Sequence, residues 1–133
     1  MSLEAERLIN HVYQMDCLEL MKQMPDETVS MILTDPPYGI SYQNQFTNQR
    51  HLVLEGDSGI PYERFASESY RILRGNSHAY FFTRYDCYPY HYECLKQAGF
   101  SVKNCMVIEK GTIGGIGDLK GSCLLYTSPS PRD

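Results

Sequence analysis

Asp35-Pro36-Pro37-Tyr38 puts a carboxylate, two ring-locked backbone positions and an aromatic ring on four consecutive residues. Such a set can grip a flat heterocycle by its amino group. The exocyclic amine of adenine or cytosine is a poor nucleophile, because its lone pair is delocalised into the ring. A site that methylates it must hold the base rigidly, accept hydrogen bonds from the amine and align the nitrogen with the incoming carbon. The Asp35 carboxylate can accept one N–H and stabilise the positive charge that grows on the nitrogen. The main-chain carbonyl at Pro36 can accept the other, held in place because proline fixes the local backbone, and Pro37 extends that stiffness. Tyr38 offers a ring to stack on a base extruded from a duplex. Asp35 need not be a strong base, since proton loss can follow methyl transfer. The same four residues in isolation also suit a turn that ends a strand, so the surrounding elements matter.

Those elements alternate. Residues 11–15 read as a short strand, and 17–24 as a helix with Leu18, Met21 and Met24 at helical spacing. Asp16, with Glu19 three residues on, has the form of a capping box. Val29 to Thr34 is a compact apolar run, as expected of a buried central strand, and the two prolines stop it. Residues 61–74 predict a helix with Tyr62, Phe65, Ala66, Ser69/Tyr70 and Leu73 on one stripe, Pro61 in the first turn and Gly75 as the stop. Residues 78–83 predict a second buried strand, with Tyr80, Phe81 and Phe82 as core. Asp86 is placed to cap a helix over 87–98 that turns His91, Cys94, Leu95 and Ala98 inward and ends at Gly99. Residues 101–109 predict a third strand. This alternation implies an α/β fold with a mainly parallel sheet and helices on its faces, whose ligands sit at the carboxyl ends of strands. Asp16, Asp35 and Arg84 all fall at such ends.

Composition sets limits. The chain has 133 residues, 42% hydrophobic and 21% charged, which suits one globular domain or a piece of one. No apolar run approaches the ~20 residues needed to cross a bilayer, and the first residues lack the pattern of a signal peptide, so a cytoplasmic location is expected. The five cysteines (Cys17, Cys87, Cys94, Cys105, Cys123) contain no Cys-x-x-Cys pair; reduced thiols are expected, with neither zinc site nor disulfide framework. His11, His51, His78 and His91 are scattered and read as structural or exposed. The net charge of −4 gives no global attraction to nucleic acid, so any DNA surface must be local or lie elsewhere.

The polar stretch 41–59, with Gln43, Asn44, Gln45, Asn48, Gln49 and Arg50, is either a solvated loop or a reader of base edges; the first is favoured. Arg84 can meet phosphate or pair with Asp86. Gly111 to Gly117 is glycine-rich but matches no dinucleotide fingerprint and no P-loop, and reads as a flexible loop whose Lys110 and Lys120 can touch phosphate. Residues 123–133 (Cys-Leu-Leu-Tyr-Thr-Ser-Pro-Ser-Pro-Arg-Asp) break the pattern. They can be encoded by DNA resembling the adapters of transposase-based sequencing libraries. Residues 1–122 are therefore expected to be the N-terminal part of a catalytic domain and 123–133 an adapter-derived, non-native tail from which no fold or function is drawn; a natural Pro/Ser tail is the alternative.

With these residues in view, a resemblance emerges. Met15-Asp16-Cys17-Leu18-Glu19 and Leu33-Thr34-Asp35-Pro36-Pro37-Tyr38-Gly39-Ile40 resemble the beta group of bacterial and phage DNA N6-adenine/N4-cytosine methyltransferases. The likeness continues through Ser69-Tyr70-Arg71-Ile72-Leu73, Ala79 to Phe82, and Gly117-Asp118-Leu119-Lys120-Gly121. It implies S-adenosylmethionine as methyl donor, double-stranded DNA as partner and an incomplete Rossmann-like, doubly wound fold with helices on both faces. It implies catalytic and base-binding roles for Asp35, Pro36, Pro37 and Tyr38, a cofactor contact for Asp35, and for Asp16 the place of the acid near the cofactor's adenosine. Asp at position 35 is more typical of the adenine enzymes. N4-cytosine methylation, methylation of a protein amide, and a catalytically dead fragment that binds DNA or a partner are the alternatives. The family's Phe-x-Gly-x-Gly cofactor loop is not in the chain, so the fragment itself is expected to be inactive.

Overall fold

A computed structural model describes residues 5–37 and 60–109, and the backbone of 121–129. After a single turn, α1 (Ala5–Leu8), the chain runs through 11–15 without forming a strand. The strand expected there has no neighbour to pair with among the described residues, and Val12 is 99% exposed. Helix α2 (Cys17–Gln23) starts where the cap predicts: Asp16 Oδ1 accepts hydrogen bonds from the amides of Leu18 (2.8 Å) and Glu19 (3.4 Å), satisfying donors with no partner inside the helix. Its buried side chains are Leu18 and Met21, and Lys22 pairs with Glu19 at 2.9 Å on the outer face.

Strand β1 (Val29–Thr34) leads to the Asp-Pro-Pro sequence. Helix α3 (Tyr62–Ile72) buries Tyr62, Phe65, Ala66, Ser69 and Ile72, the predicted stripe shifted at its end. The helix stops earlier than Gly75 because Leu73 turns extended and begins β2 (Leu73–Arg84). Ala79, Phe81 and Thr83 of β2 are buried and alternate with half-buried Tyr80 and Phe82, the period of two that a pleated strand requires.

Helix α4 (Tyr88–Ala98) forms as predicted, although Asp86 does not cap it: the first position is Cys87, with no side-chain cap, because Asp86 is engaged by Arg84 at 3.2 Å. Gly99 ends it with φ 118°, and a Cβ there would lie 2.8 Å from Tyr70 Cζ, so only glycine fits. Strand β3 (Phe100–Glu109) follows.

The sheet order is β1-β2-β4-β3, where β4 is Gly121–Pro129. Strands β1 and β2 are parallel, and β4 runs antiparallel to both β2 and β3. Residues 123–129 of the expected non-native tail lie in β4. Leu124, Leu125, Tyr126 and Thr127 suit a pleated ladder, and they pair with Phe82, Phe81, Tyr80 and Ala79. Cys105 is disulfide-bonded, contrary to the expectation of reduced thiols throughout, while Cys17, Cys87 and Cys94 are free.

The core lies between the sheet and helices α3 and α4. Phe81 sits at its centre, edge-on to Phe65 (6.0 Å) and Phe100 (5.6 Å). Arg71 ties α3 to α2 from the rim: its guanidinium donates to the carbonyls of Met21 (2.6 Å) and Met24 (2.8 Å) and pairs with Asp26 (2.7 Å) and Glu68 (2.8 Å). Hydrogen bonds to Glu68 and Asp26 raise the Arg71 pKa above its ordinary value.

One expectation fails on this side of the molecule. No residue of β1 is buried; Met31 is 55% and Leu33 62% exposed. A strand is buried by layers packed on its two faces, and among the described residues β1 lies at the sheet edge beside β2 alone.

Candidate functional site at the carboxyl end of β1

Asp35 follows the last residue of β1, and Thr34 is paired with Phe81. The acid therefore stands one step beyond the ladder, beside the point where β2 runs out through Phe82, Thr83 and Arg84. Its residue is exposed, Pro36 is buried and Pro37 half-buried. A buried prolyl residue of fixed φ thus directly follows an exposed acid at the end of the strand. Tyr38, the fourth member of the motif, lies outside the described residues, as do the polar stretch 41–59, the glycine-rich 111–117, Lys110 and Lys120.

Asp16 caps α2. Its Oδ1 is used at the start of α2, where carboxylate and amide dipoles attract. The two sequence readings of this residue, helix cap and cofactor-side acid, are compatible; the structure displays the first. Arg84 pairs with Asp86, one of the two options its position left open.

A buried polar group behind β2 is not recognisable as a unit in the sequence. Thr83 Oγ1 is 2.6 Å from His91 Nδ1, and the His91 ring stacks on Tyr62 at 3.8 Å with 9° between planes. All three side chains are buried. Burial holds the His91 pKa down at about 4, partly opposed by the charge of Asp86, so the ring is neutral at pH 7. The cluster braces the end of β2 against α3 and α4. A partial signal exists: Ala79, Phe81 and Thr83 share the inward face of β2, and His91 lies on the inward stripe of α4.

A cavity opens at the other end of β1. It measures about 470 Å3 and is bordered by Thr28, Val29 and Ser30 on one side and Ile9, His11 and Tyr13 on the other. It is not continuous in sequence with Asp35.

No protein-family model matches the chain. YubD of Escherichia coli (strain K12), which carries the name of a methylase, is 31% identical over 98 residues, 73% of this chain and 41% of that protein. Among solved structures, TTHA0409 of Thermus thermophilus, named as a DNA modification methylase, superposes with a TM-score of 0.60 at 18% identity, over 89% of this chain and 53% of that one. It has also been solved with S-adenosyl-L-methionine. M1.HpyAVI gives a TM-score of 0.58 at 20% identity, over 89% and 54%. These likenesses show the α/β fold expected from the alternation of elements, of the Rossmann-like kind that the resemblance implied. The chain spans about half the length of the structures it matches, and less of YubD.

Proposed function

We propose that residues 1–122 are the N-terminal part of an S-adenosylmethionine-dependent DNA methyltransferase acting on an exocyclic amine, with adenine N6 as the target. Residues 123–133 are, in the same reading, adapter-derived. The observation that carries the proposal is the placement of Asp35: exposed, at the carboxyl end of a strand in a Rossmann-like sheet, on a backbone stiffened by the buried Pro36. In open α/β sheets that end is where ligands bind. The names of the relatives point to the same chemistry.

In this reading the target base leaves the duplex stack and presents its amine to Asp35 and to the carbonyl of Pro36. Two acceptors fix the amine's orientation and leave its lone pair facing away from the ring plane. The fixed carboxylate stabilises the charge that develops on nitrogen, with no reorganisation at the moment of transfer. Tyr38 stacks on the base. S-adenosylmethionine supplies the methyl group. The Phe-x-Gly-x-Gly loop that would cradle it in the family is not in the chain, and Asp35 would face its methyl group. The chain as it stands is therefore expected to bind the cofactor weakly or not at all, which calorimetric titration checks; micromolar binding would contradict this.

The test of function uses the chain continued through its own gene beyond Ser122. Exposed to DNA and S-adenosylmethionine, it should yield N6-methyladenine by nucleoside mass spectrometry. Asp35→Ala should lower kcat by at least ~100-fold, the scale of losing one preorganised electrostatic contact at a reacting centre. Appearance of N4-methylcytosine would overturn the adenine assignment. Full activity in Asp35→Ala would remove the grip from the mechanism.

A further inference from the structure

Pro36 is buried although the acid before it is exposed and the strand that leads to it has no buried residue. The sheet register places it. Along β1 the inward face is carried by Ile32 and Thr34, which are half-buried and paired with Ala79 and Phe81 of β2. Continuing this register by two residues sets Pro36 beside Thr83, at the ~4.8 Å that separates neighbouring strands. Thr83 is itself fully buried.

The Thr83 hydroxyl stands 2.6 Å from His91 Nδ1 of α4 and 3.4 Å from the carbonyl of Arg84. With the proton on Nδ1, the hydroxyl accepts from the ring and donates to the main chain of β2 at once. The ring is fixed in turn, stacked on Tyr62 of α3 at 3.8 Å with 9° between planes. One hydroxyl thus joins the end of β2 to both helices, beside the prolyl residue that follows Asp35. A buried, satisfied polar pair fixes a single arrangement where apolar packing tolerates several.

We infer that Thr83 and His91 are positioning residues for the Asp35 carboxylate: through Pro36 they hold the mouth of β1 in the one orientation from which the acid meets an amine. The inference deepens the reading of Asp35 given above and rests on it. Proline transmits the constraint, because its φ is locked and the residue before it is restricted to extended conformations. A seated ring at 36 therefore restricts Asp35 as well.

The first test needs no methyl transfer. Backbone 15N relaxation on the chain itself gives order parameters for Asp35 and for residues 79–81. Both should be about 0.85 in the unaltered chain. In Thr83→Val, and in His91→Phe, which keeps a ring on Tyr62, the value at Asp35 should fall below about 0.6 while 79–81 stay rigid. Thr83→Ser, which keeps the hydroxyl, should leave Asp35 rigid. If one variant does not fold, the other decides. Asp35 unmoved overturns the inference; so does loosening of Asp35 and 79–81 together, the outcome of a merely structural role. The second test uses the chain continued through its own gene. Thr83→Val should lower kcat at least ~10-fold, since about 1 Å of misplacement can cost ~100-fold, with KM for DNA changed less than about threefold. Thr83→Ser should restore kcat. The double variant Thr83→Val, His91→Phe should be no slower than the slower single one, because the two residues act as a unit. Additive losses, or a rise in KM alone, overturn the inference. An unaltered enzyme that transfers no methyl group removes the reading of Asp35; the order parameters still decide whether the pair holds residue 35 in place.

Discussion

Phe81 and Leu33 are large apolar side chains on neighbouring, hydrogen-bonded strands, yet one is 0% and the other 62% exposed. Phe81 belongs to a strand with partners on both sides and helices α3 and α4 above it. Leu33 belongs to a strand with one partner among the described residues. Nothing in residue type foretells the difference, because burial belongs to a neighbourhood and not to a residue. The β2 region is a packed core, whereas β1 lies at the edge of the sheet among the described residues.

Substitutions can sharpen that contrast. The largest effect is expected for Phe81→Ala, which removes a ring packed edge-on against Phe65 and Phe100. It should destabilise by about 3–5 kcal/mol, enough to erase much of a cooperative urea transition. A loss under ~1 kcal/mol would mean the core is looser than its packing shows.

Acid comes next. The His91 pKa is held at about 4 against an ordinary 6.5, so the unfolded chain takes up its proton before the folded one. Its contribution is complete above pH 6.5, falls as pH drops from 6.5 towards 4, and levels off below. The total is on the order of 3 kcal/mol. Urea midpoints at pH 7 and pH 4 measure it, and His91→Gln should flatten that pH dependence whatever it does to stability at pH 7. An unchanged slope in the variant would assign the acid sensitivity to other groups.

A smaller effect is expected from Asp16→Ala, which leaves the amides of Leu18 and Glu19 without their acceptor and should cost about 1 kcal/mol. Asp16→Asn should retain most of it. The smallest belongs to the exposed edge: Leu33→Lys should shift stability by no more than about 0.5 kcal/mol. A loss comparable to that of Phe81→Ala would show that Leu33 is covered in solution and would dissolve the contrast.

Much of this was legible before any coordinates. The strand over 78–83, the stripe Tyr62-Phe65-Ala66-Ser69, the cap at Asp16 and the stop at Gly99 are local features, governed by torsion angles and by hydrogen bonds between near neighbours; the period of two that leaves Tyr80 and Phe82 half-buried, where core was expected, is not among them. The end of β1 at two prolines, which puts Asp35 at a strand's mouth, is local too. Asp86 misled for the same local reason: a good cap residue at the right spacing was claimed instead by Arg84, also local but with a stronger charge partner.

What the linear chain could not disclose is everything that depends on who stands beside whom. Residues 11–15 have the composition of a strand and form none. Val29 to Thr34 has the composition of an interior strand and, among the described residues, lies at an edge. Leu124 to Thr127, in a segment read as a non-native tail, pair between β2 and β3. Thr83, His91 and Tyr62 meet only because β2, α4 and α3 pack together. Hydrogen-bond ladders and burial are relations between distant segments, so they come into being only when the chain has folded.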